Sequence, residues 1–224
     1  YHKRTAIDKI KIEVQDDLKK QTNFLFSILE SEYVKLKDVL SEEALKQRLK
    51  SIVDATRYGD SGYFWINDTN AVIIIHPIKP DLNGKDMASY KDQAGKKIFS
   101  EFAAVAKKDS EGFVDYVWPK PGFEQPQPKV SFVKLFKPYN WVIGTGEYVS
   151  DVSSKIQEEA LKTIAEMRYG KDGYFWINNS FPKMVMHPIK PELIGEDLSE
   201  NKDAKGKNIS LKWWKLQKTI MKVA

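Results

Sequence analysis

The sequence predicts an α+β fold in which helices pack on a mainly antiparallel five-stranded sheet, followed by an incomplete second copy of that module. Three observations carry this reading. Residues 1 to 56 keep a helical spacing of apolar positions without one Pro or Gly. The residues after them alternate short strand patterns with tight turns. The stretch Arg57-Tyr58-Gly59 to His76-Pro77 then returns as Arg168-Tyr169-Gly170 to His187-Pro188, at a constant offset (168 − 57 = 111 and 187 − 76 = 111). Of the 42 positions from Arg57 to Ile98, 22 are identical in Arg168 to Ile209, so two related modules stand in series.

In the helical segment, Ile10, Val14, Leu18, Leu25, Leu29, Tyr33, Leu36 and Leu40 fall mostly three or four apart. Ser41-Glu42-Glu43 supplies an N-cap for a second helix through Leu45, Leu49 and Ile52. Two readings of this part stand: a coiled-coil or bundle helix, or a stalk that carries motion or sets a dimer. The first module opens with a glycine turn. Strands Tyr63–Asn67 and Val72–His76 follow, joined by Asp68-Thr69-Asn70. Residues 78 to 92 read as loop and 96 to 107 as helix. Strands Phe113–Trp118, Val130–Phe136 and Trp141–Tyr148 complete the sheet. Between the first two, Pro119, Pro121, Gly122, Pro126 and Pro128 suggest a stiff rim or lid.

A linking helix from Asp151 to Met167 leads into the second copy, and a helix is expected over Ile209–Val223. Nothing after it corresponds to Phe113–Tyr148. Either this module ends early or the copy has decayed into a scaffold, and the close match of its opening strands argues for the early end. The expected division is therefore a helical stalk over 1–56, a first module over 57–150, and a linking helix with an incomplete second module over 151–224. The chain also starts inside a helical pattern, as a piece cut from an anchor would.

Composition narrows the function classes. Charged residues make up 30% and hydrophobic ones 42% of 224, ordinary for a globular protein. The net charge of +5 is spread along the chain, without the basic stripe interleaved with aromatics that nucleic acid demands. Absence of Cys removes disulfides, thiolate metal sites and Cys nucleophiles. No apolar run approaches the roughly 18 residues that span a bilayer. Three His, one of them His2, cannot build a three-His metal site in one module. No nucleophile elbow, zinc-protease, P-loop or dinucleotide motif occurs. We expect no enzyme, no metal and no cofactor.

Strand alternation sorts the first module into two faces. Tyr63, Trp65, Asn67, Val72, Ile74, His76, Val114, Tyr116, Trp118, Phe132, Lys134 and Phe136 share one. Phe64, Ile66, Ile73, Ile75, Phe113, Val117, Val133 and Leu135 share the other, nearly all apolar and suited to the long helix. A single bulge would flip part of either set. The first face offers aromatic walls with His76 and Lys134 as converging cationic donors, which is what a small organic anion requires. Each candidate carries a plainer reading beside it. His76 is a ligand group or a strand-end histidine bonded to backbone. Lys134 binds, or snorkels from an edge strand. Arg57 reaches the ligand, or caps the preceding helix. Tyr63, Trp65, Tyr116 and Trp118 read as wall.

Arg-Tyr-Gly-x-x-Gly-Tyr-Phe-Trp-Ile-Asn (57–67), His-Pro-x-Lys-Pro (76–80), Gly-Lys-Asp (84–86), Glu-Gly-Phe-Val-Asp-Tyr-x-Trp-Pro-Lys-Pro-Gly (111–122) and Lys-x-Phe-x-Pro-x-x-Trp-Val-Ile-Gly-Thr-Gly-x-Tyr-Val (134–149) closely resemble type-2 Cache domains. These are extracytoplasmic sensor modules of bacterial chemoreceptors, sensor histidine kinases and related signalling proteins. The tandem resembles a double Cache, membrane-distal module first. The resemblance implies a long N-terminal helix on a PAS-like five-stranded sheet. It further implies a pocket on the face away from that helix, binding a small carboxylate such as acetate, propionate, pyruvate or lactate. His76, Lys134, Tyr116, Tyr63, Trp65 and Trp118 would carry the site, with Arg57 at its margin. Arg168, Tyr174, Trp176 and His187 repeat its first half without a partner for Lys134, so no second working site is assigned.

The expectation is thus the periplasmic ligand-sensing region of a chemoreceptor or sensor kinase. It would dimerise through the N-terminal helix and reach the inner membrane through flanking segments. Two rivals stand beside it: a periplasmic binding or interaction protein without signalling output, and a ligandless dimerising scaffold. A collapsed, side-chain-filled pocket would favour the scaffold.

Overall fold

The computed structural model describes residues 6–120, 122–179 and 183–200. The chain divides into two compact units, Tyr1–Ser153 and Ser154–Ala224.

In the first unit, α1 (Ala6–Leu36) and α2 (Glu42–Ala55) are separate helices, because Ser41 leaves helical geometry and its hydroxyl accepts the Ala44 N–H. A two-residue hairpin, β1 (Arg57–Tyr58) with β2 (Gly62–Tyr63), then enters the sheet. The sheet itself comprises β3 (Trp65–Asp68), β4 (Ile73–Ile75), β5 (Glu111–Trp118), β6 (Gln127–Phe136) and β7 (Trp141–Tyr148), in the order β4-β3-β7-β6-β5. All its pairings are antiparallel. The expected opening strand is broken at Phe64. Tyr63 belongs to the hairpin and Trp65 to the sheet.

Helices cover both faces. Leu25, Phe26, Leu29, Leu45, Leu49 and Val53 of α1 and α2 bury against Phe64, Ile66, Phe136, Trp141 and Ile143. Farther toward the start of α1, Val14 and Leu18 bury Val130 and Phe132. On the opposite face, α3 (Ile98–Asp109) packs Ile98, Phe99, Phe102 and Ala106 against Trp65, Ile73, Val114, Tyr116, Trp118, Val133 and Val142. Three layers result, with the sheet in the middle. At roughly 1.5–3 kcal/mol for each large apolar side chain removed from water, these two interfaces dominate the stabilisation of the unit.

Two segments depart from simple alternation. Between Ile66↔Ile75 and Asn67↔Ile73 the register slips by one residue at Ile74. Ile73 therefore joins the α3-side core while Ile74 and Ile75 both pack toward α1 and α2, reversing the expected places of Ile73 and Ile74. His76 keeps its expected side. In β6 the whole expected alternation is inverted. Phe132 and Phe136 face the long helix, and Val133 and Leu135 face α3. The strand also begins at Gln127, so Pro128 lies in the ladder opposite Val117 and the rim is shorter than the proline run suggests.

In the second unit, α4 (Val149–Glu166), which starts in the first, leads to a repeat of the opening strands. These are β8 (Arg168–Tyr169), β9 (Gly173–Tyr174), β10 (Ile177–Asn178) and β11 (Met184–Met186). The pairing Ile177↔Met186 and Asn178↔Met184 reproduces the bulge of the first copy. The helix expected over 209–223 and the ending of this module lie outside the described residues. No helix among the described residues is long and apolar enough to cross a membrane.

Candidate functional site

A pocket opens on the α3 side of the first sheet, lined by Tyr63, Trp65, His76, Ile98, Phe99, Phe102, Tyr116, Trp118 and Lys129. Five of the seven residues singled out from sequence meet there: Tyr63, Trp65, His76, Tyr116 and Trp118. Lys134 and Arg57 do not.

The correction at Lys134 follows from the inverted parity of β6. Its ammonium donates to Asn23 Oδ1 at 2.7 Å on α1, lies 3.5 Å from Glu111 Oε2 and sits 5.0 Å from the Phe26 ring centroid. It is on the opposite surface of the sheet from His76. Arg57 takes the plainer of its two readings. Its Nη1 donates to the carbonyls of Asp54 at 2.6 Å and Thr56 at 2.9 Å, satisfying the end of α2. Arg168 does the same for Ala165 and Met167, so its recurrence reflects a helix cap.

Lys129, five positions earlier in β6, supplies the pocket's cation. It pairs with Tyr116 across β5 and with Tyr148 across β7, and only 3% of its surface is exposed. Its Nζ donates to the Tyr63 hydroxyl at 3.3 Å and lies 5.0 and 5.1 Å from the ring centroids of Tyr63 and Tyr148. Burial pushes its pKa down from 10.5 to about 8, against an upward pull from Glu147 and with a further downward push from Lys79. The sequence held a signal for it. Val130, Phe132 and Phe136 are the bulkiest apolar residues of the strand, and the face that carries them belongs under a helix even though Lys134 shares it. That assignment leaves Lys129 and Ser131 on the pocket side.

His76 is buried, and its ring lies 5.3 Å from that of Tyr63. Its Nδ1 accepts the Lys79 N–H at 3.0 Å, and its own N–H donates to Asn83 Oδ1 at 2.8 Å. The His-Pro-x-Lys spacing thus builds a local turn. It also fixes the tautomer, because an accepting Nδ1 puts the neutral ring's proton on Nε2. Burial first, then the Lys129 and Lys79 charges, lower its pKa to about 4. His76 is therefore a neutral donor at pH 7. Tyr63, accepting from Lys129 through its oxygen, keeps its phenol hydrogen to donate. Burial pushes its pKa well above the ordinary tyrosine value, so it stays a phenol at any physiological pH.

The wall is fixed by its own bonds. Trp65 Nε1 donates to Asn67 Oδ1 at 3.0 Å, and Tyr116 and Ser131 hydroxyls bond at 2.8 Å. Lys79 Nζ stands 4.5 Å from the Trp118 ring centroid. Ile98, Phe99 and Phe102 close the far side from α3. The cavity left between these groups is about 10 Å³, room for a single water-sized body. No group of His, Asp and Glu that could hold a metal ion occurs among the described residues.

The second unit repeats part of this geometry. The Tyr174 and His187 rings lie 5.2 Å apart, and His187 Nδ1 accepts the Lys190 N–H at 3.0 Å.

A long N-terminal helix and α3 flanking a five-stranded antiparallel sheet define the α+β architecture of a Cache sensor domain. The chain belongs to the Cache domain family dCache_2, whose model matches residues 1–223. It is 42% identical over 120 residues to the methyl-accepting chemotaxis protein McpP of Pseudomonas putida, covering 54% of this chain and 22% of that protein. It is 34% identical over 131 residues to the sensor histidine kinase MctS of Rhizobium johnstonii, covering 58% of this chain and 28% of that protein. The chain thus spans about a quarter of the length of these relatives. Among solved structures, a periplasmic sensor domain of a chemotaxis protein matches with TM-score 0.58 at 35% identity, over 62% of this chain and 96% of that one. A Cache chemosensory domain studied for carboxylic acid recognition matches with TM-score 0.56 at 32% identity, over 65% and 99%.

Proposed function

We propose that this chain is the extracytoplasmic ligand-sensing region of a transmembrane chemoreceptor or sensor kinase, and that its first module binds a small monocarboxylate. The observation that carries this is Lys129, a buried ammonium whose hydrogen-bond partner is a phenol. Burying such a charge costs several kcal/mol, and a carboxylate entering the pocket would offset that cost by direct pairing. His76 Nε2 and the Tyr63 hydroxyl would donate to the same anion, and Trp65, Phe99, Phe102 and Trp118 would enclose its alkyl part. Acetate, propionate, pyruvate and lactate carry the right charge and are among the smallest such acids, and the rings must part to admit any of them. Support comes from the likeness to a Cache domain described for carboxylic acid recognition. The periplasmic placement and the receptor context rest on the likeness to the periplasmic sensor domain and the two signalling relatives. The seven residues first singled out contribute five; Lys129 takes the place of Lys134, and Arg57 has none.

Isothermal titration of the chain with these acids tests the reading. Saturable one-to-one binding by at least one, lost in Lys129→Met and kept in Lys134→Met, is expected. Silence across the panel would remove the carboxylate claim. A second reading, the ligandless scaffold, is favoured by the roughly 10 Å³ cavity, because even acetate needs the rings to part. The same titration separates the two.

A further inference from the structure

Two ammonium groups share one aromatic ring at the edge of the pocket. Tyr148, the last residue of β7, has Lys129 Nζ 5.1 Å from its ring centroid and Lys120 Nζ at the same 5.1 Å. Lys129 is the pocket cation. Lys120 is on the rim between β5 and β6, with its Nζ also 4.6 Å from the Phe123 ring centroid. The Tyr148 hydroxyl donates to the Pro119 carbonyl at 2.7 Å, so the ring is tied to the rim as well as to the pocket. Lys120 then forms an ion pair with Asp151, in the first turn of α4. Its side chain is mostly shielded, at 14% exposure, so water screens its contacts less than those of an ordinary surface lysine.

We propose that ligand occupancy at Lys129 is passed to the first turn of α4 through Tyr148, Lys120 and Asp151. This rests on the reading that the pocket takes a carboxylate. Both lysines draw on the quadrupole of one ring and repel each other across it. A bound carboxylate neutralises Lys129 and draws it off the ring, which removes the repulsion and leaves the ring to Lys120. The Tyr148–Lys120–Asp151 chain tightens, and α4 begins one residue after Tyr148. A helix start is where an acidic side chain already gains from the peptide dipoles, so Asp151 holds that turn from both sides. The link is a coupling between two sites and works in both directions: whatever ligand does to the Lys120–Asp151 pair, loss of that pair does to the ligand.

Hydrogen exchange of the full chain with and without propionate, together with propionate titration, reads both directions. In the wild type, propionate is expected to slow exchange in residues 149–153. In Asp151→Asn and in Lys120→Met that slowing should vanish and propionate affinity should fall by roughly fivefold or more. Asp115→Asn, which removes an exposed pair with Lys11 of similar kind, should change neither. Propionate binding as tightly to Asp151→Asn as to wild type, with the same slowing, overturns the coupling and leaves the pocket standing. An equal effect from Asp115→Asn reduces it to general charge and overturns it too. A wild-type chain that binds no propionate removes the pocket reading, and the coupling falls with it.

Discussion

Lys129 stands opposite Tyr116 in the register of β5 and β6, whereas Lys134 stands opposite Glu111. Because cross-strand partners share a face, the first pairing puts an ammonium among the pocket rings. The second puts one against the long helix, where it meets Asn23 and Glu111. The two lysines should therefore separate stability from binding. Lys129→Met replaces a buried charge with an apolar chain of similar length, so the unliganded melting temperature is expected to stay or rise. Its ligand-induced thermal shift should vanish. Lys134→Met should keep that shift and lose no more than about 1 kcal/mol, as for other partly exposed pairs. Thermal melts with and without propionate check both; a reversed pattern would put the binding cation on the wrong strand face.

His76 makes the first module acid-sensitive. Its pKa falls from 6.5 to about 4, mainly through burial and then through Lys129 and Lys79. An unfolded chain takes up the proton near pH 6.5, while the folded one resists until about 4. The native state is thus free of this cost above about pH 6.5, and stability is lost as the pH drops from there toward 4. The full difference corresponds to about 3 kcal/mol. Chemical denaturation between pH 7 and pH 4 should show it. His76→Asn, which keeps an acceptor near the Lys79 N–H, should flatten that part of the profile; parallel profiles for the two proteins would contradict the assignment.

Lys129 sets the opposite limit for binding. Its pKa of about 8 means that the cationic form a carboxylate needs is depleted above that pH. Affinity for propionate should be level near pH 7 and fall about tenfold by pH 9, with proton uptake on binding that grows over the same interval. Titration in buffers of different ionisation enthalpy measures that uptake directly. An affinity that holds constant to pH 9 would mean the ammonium is not the group that binds.

Much of this arrangement was legible in residue order, and the failures have physical causes. The Ser41 cap, the α1 and α2 periodicity, the strand Trp141–Tyr148 and the pocket side of Val114, Tyr116 and Trp118 follow from local patterns that tertiary packing did not override. Strand β6 is different because both of its faces are buried: Val130, Phe132 and Phe136 under α1 and α2, Val133 and Leu135 under α3. Each alternating set mixes apolar residues with one lysine, so polarity does not tell the faces apart and only the greater bulk of Val130, Phe132 and Phe136 does. Pro128 added to the difficulty by sitting inside a paired strand, where its missing N–H argued for loop. At Ile74 a one-residue bulge exchanged two neighbours, which no run of three isoleucines can announce. The recurrence of Arg57 and His76 was visible, but recurrence does not distinguish a helix cap or a turn from a ligand group, and in both residues a backbone bond accounts for part of it.

Gly144 and Gly146 alternate on the pocket side of β7, and each is required by what faces it. A Cβ on Gly144 would come 2.4 Å from the Trp65 indole, and one on Gly146 would come 2.0 Å from Ser131 Oγ and 2.8 Å from the Val130 carbonyl. The indole can answer by moving, and the cavity of about 10 Å³ is where movement leads. Gly144→Ala should therefore cost about 1–3 kcal/mol and close the ligand space at the same time. Gly146→Ala meets backbone, which cannot swing aside, so the larger destabilisation is expected there. Trp65→Phe removes the indole atoms that the new methyl would strike. Gly144→Ala combined with Trp65→Phe should accordingly be more stable than the sum of the two single losses. Urea denaturation of the four proteins measures the coupling. Simple additivity would show that the strand, and not the indole, takes up the strain.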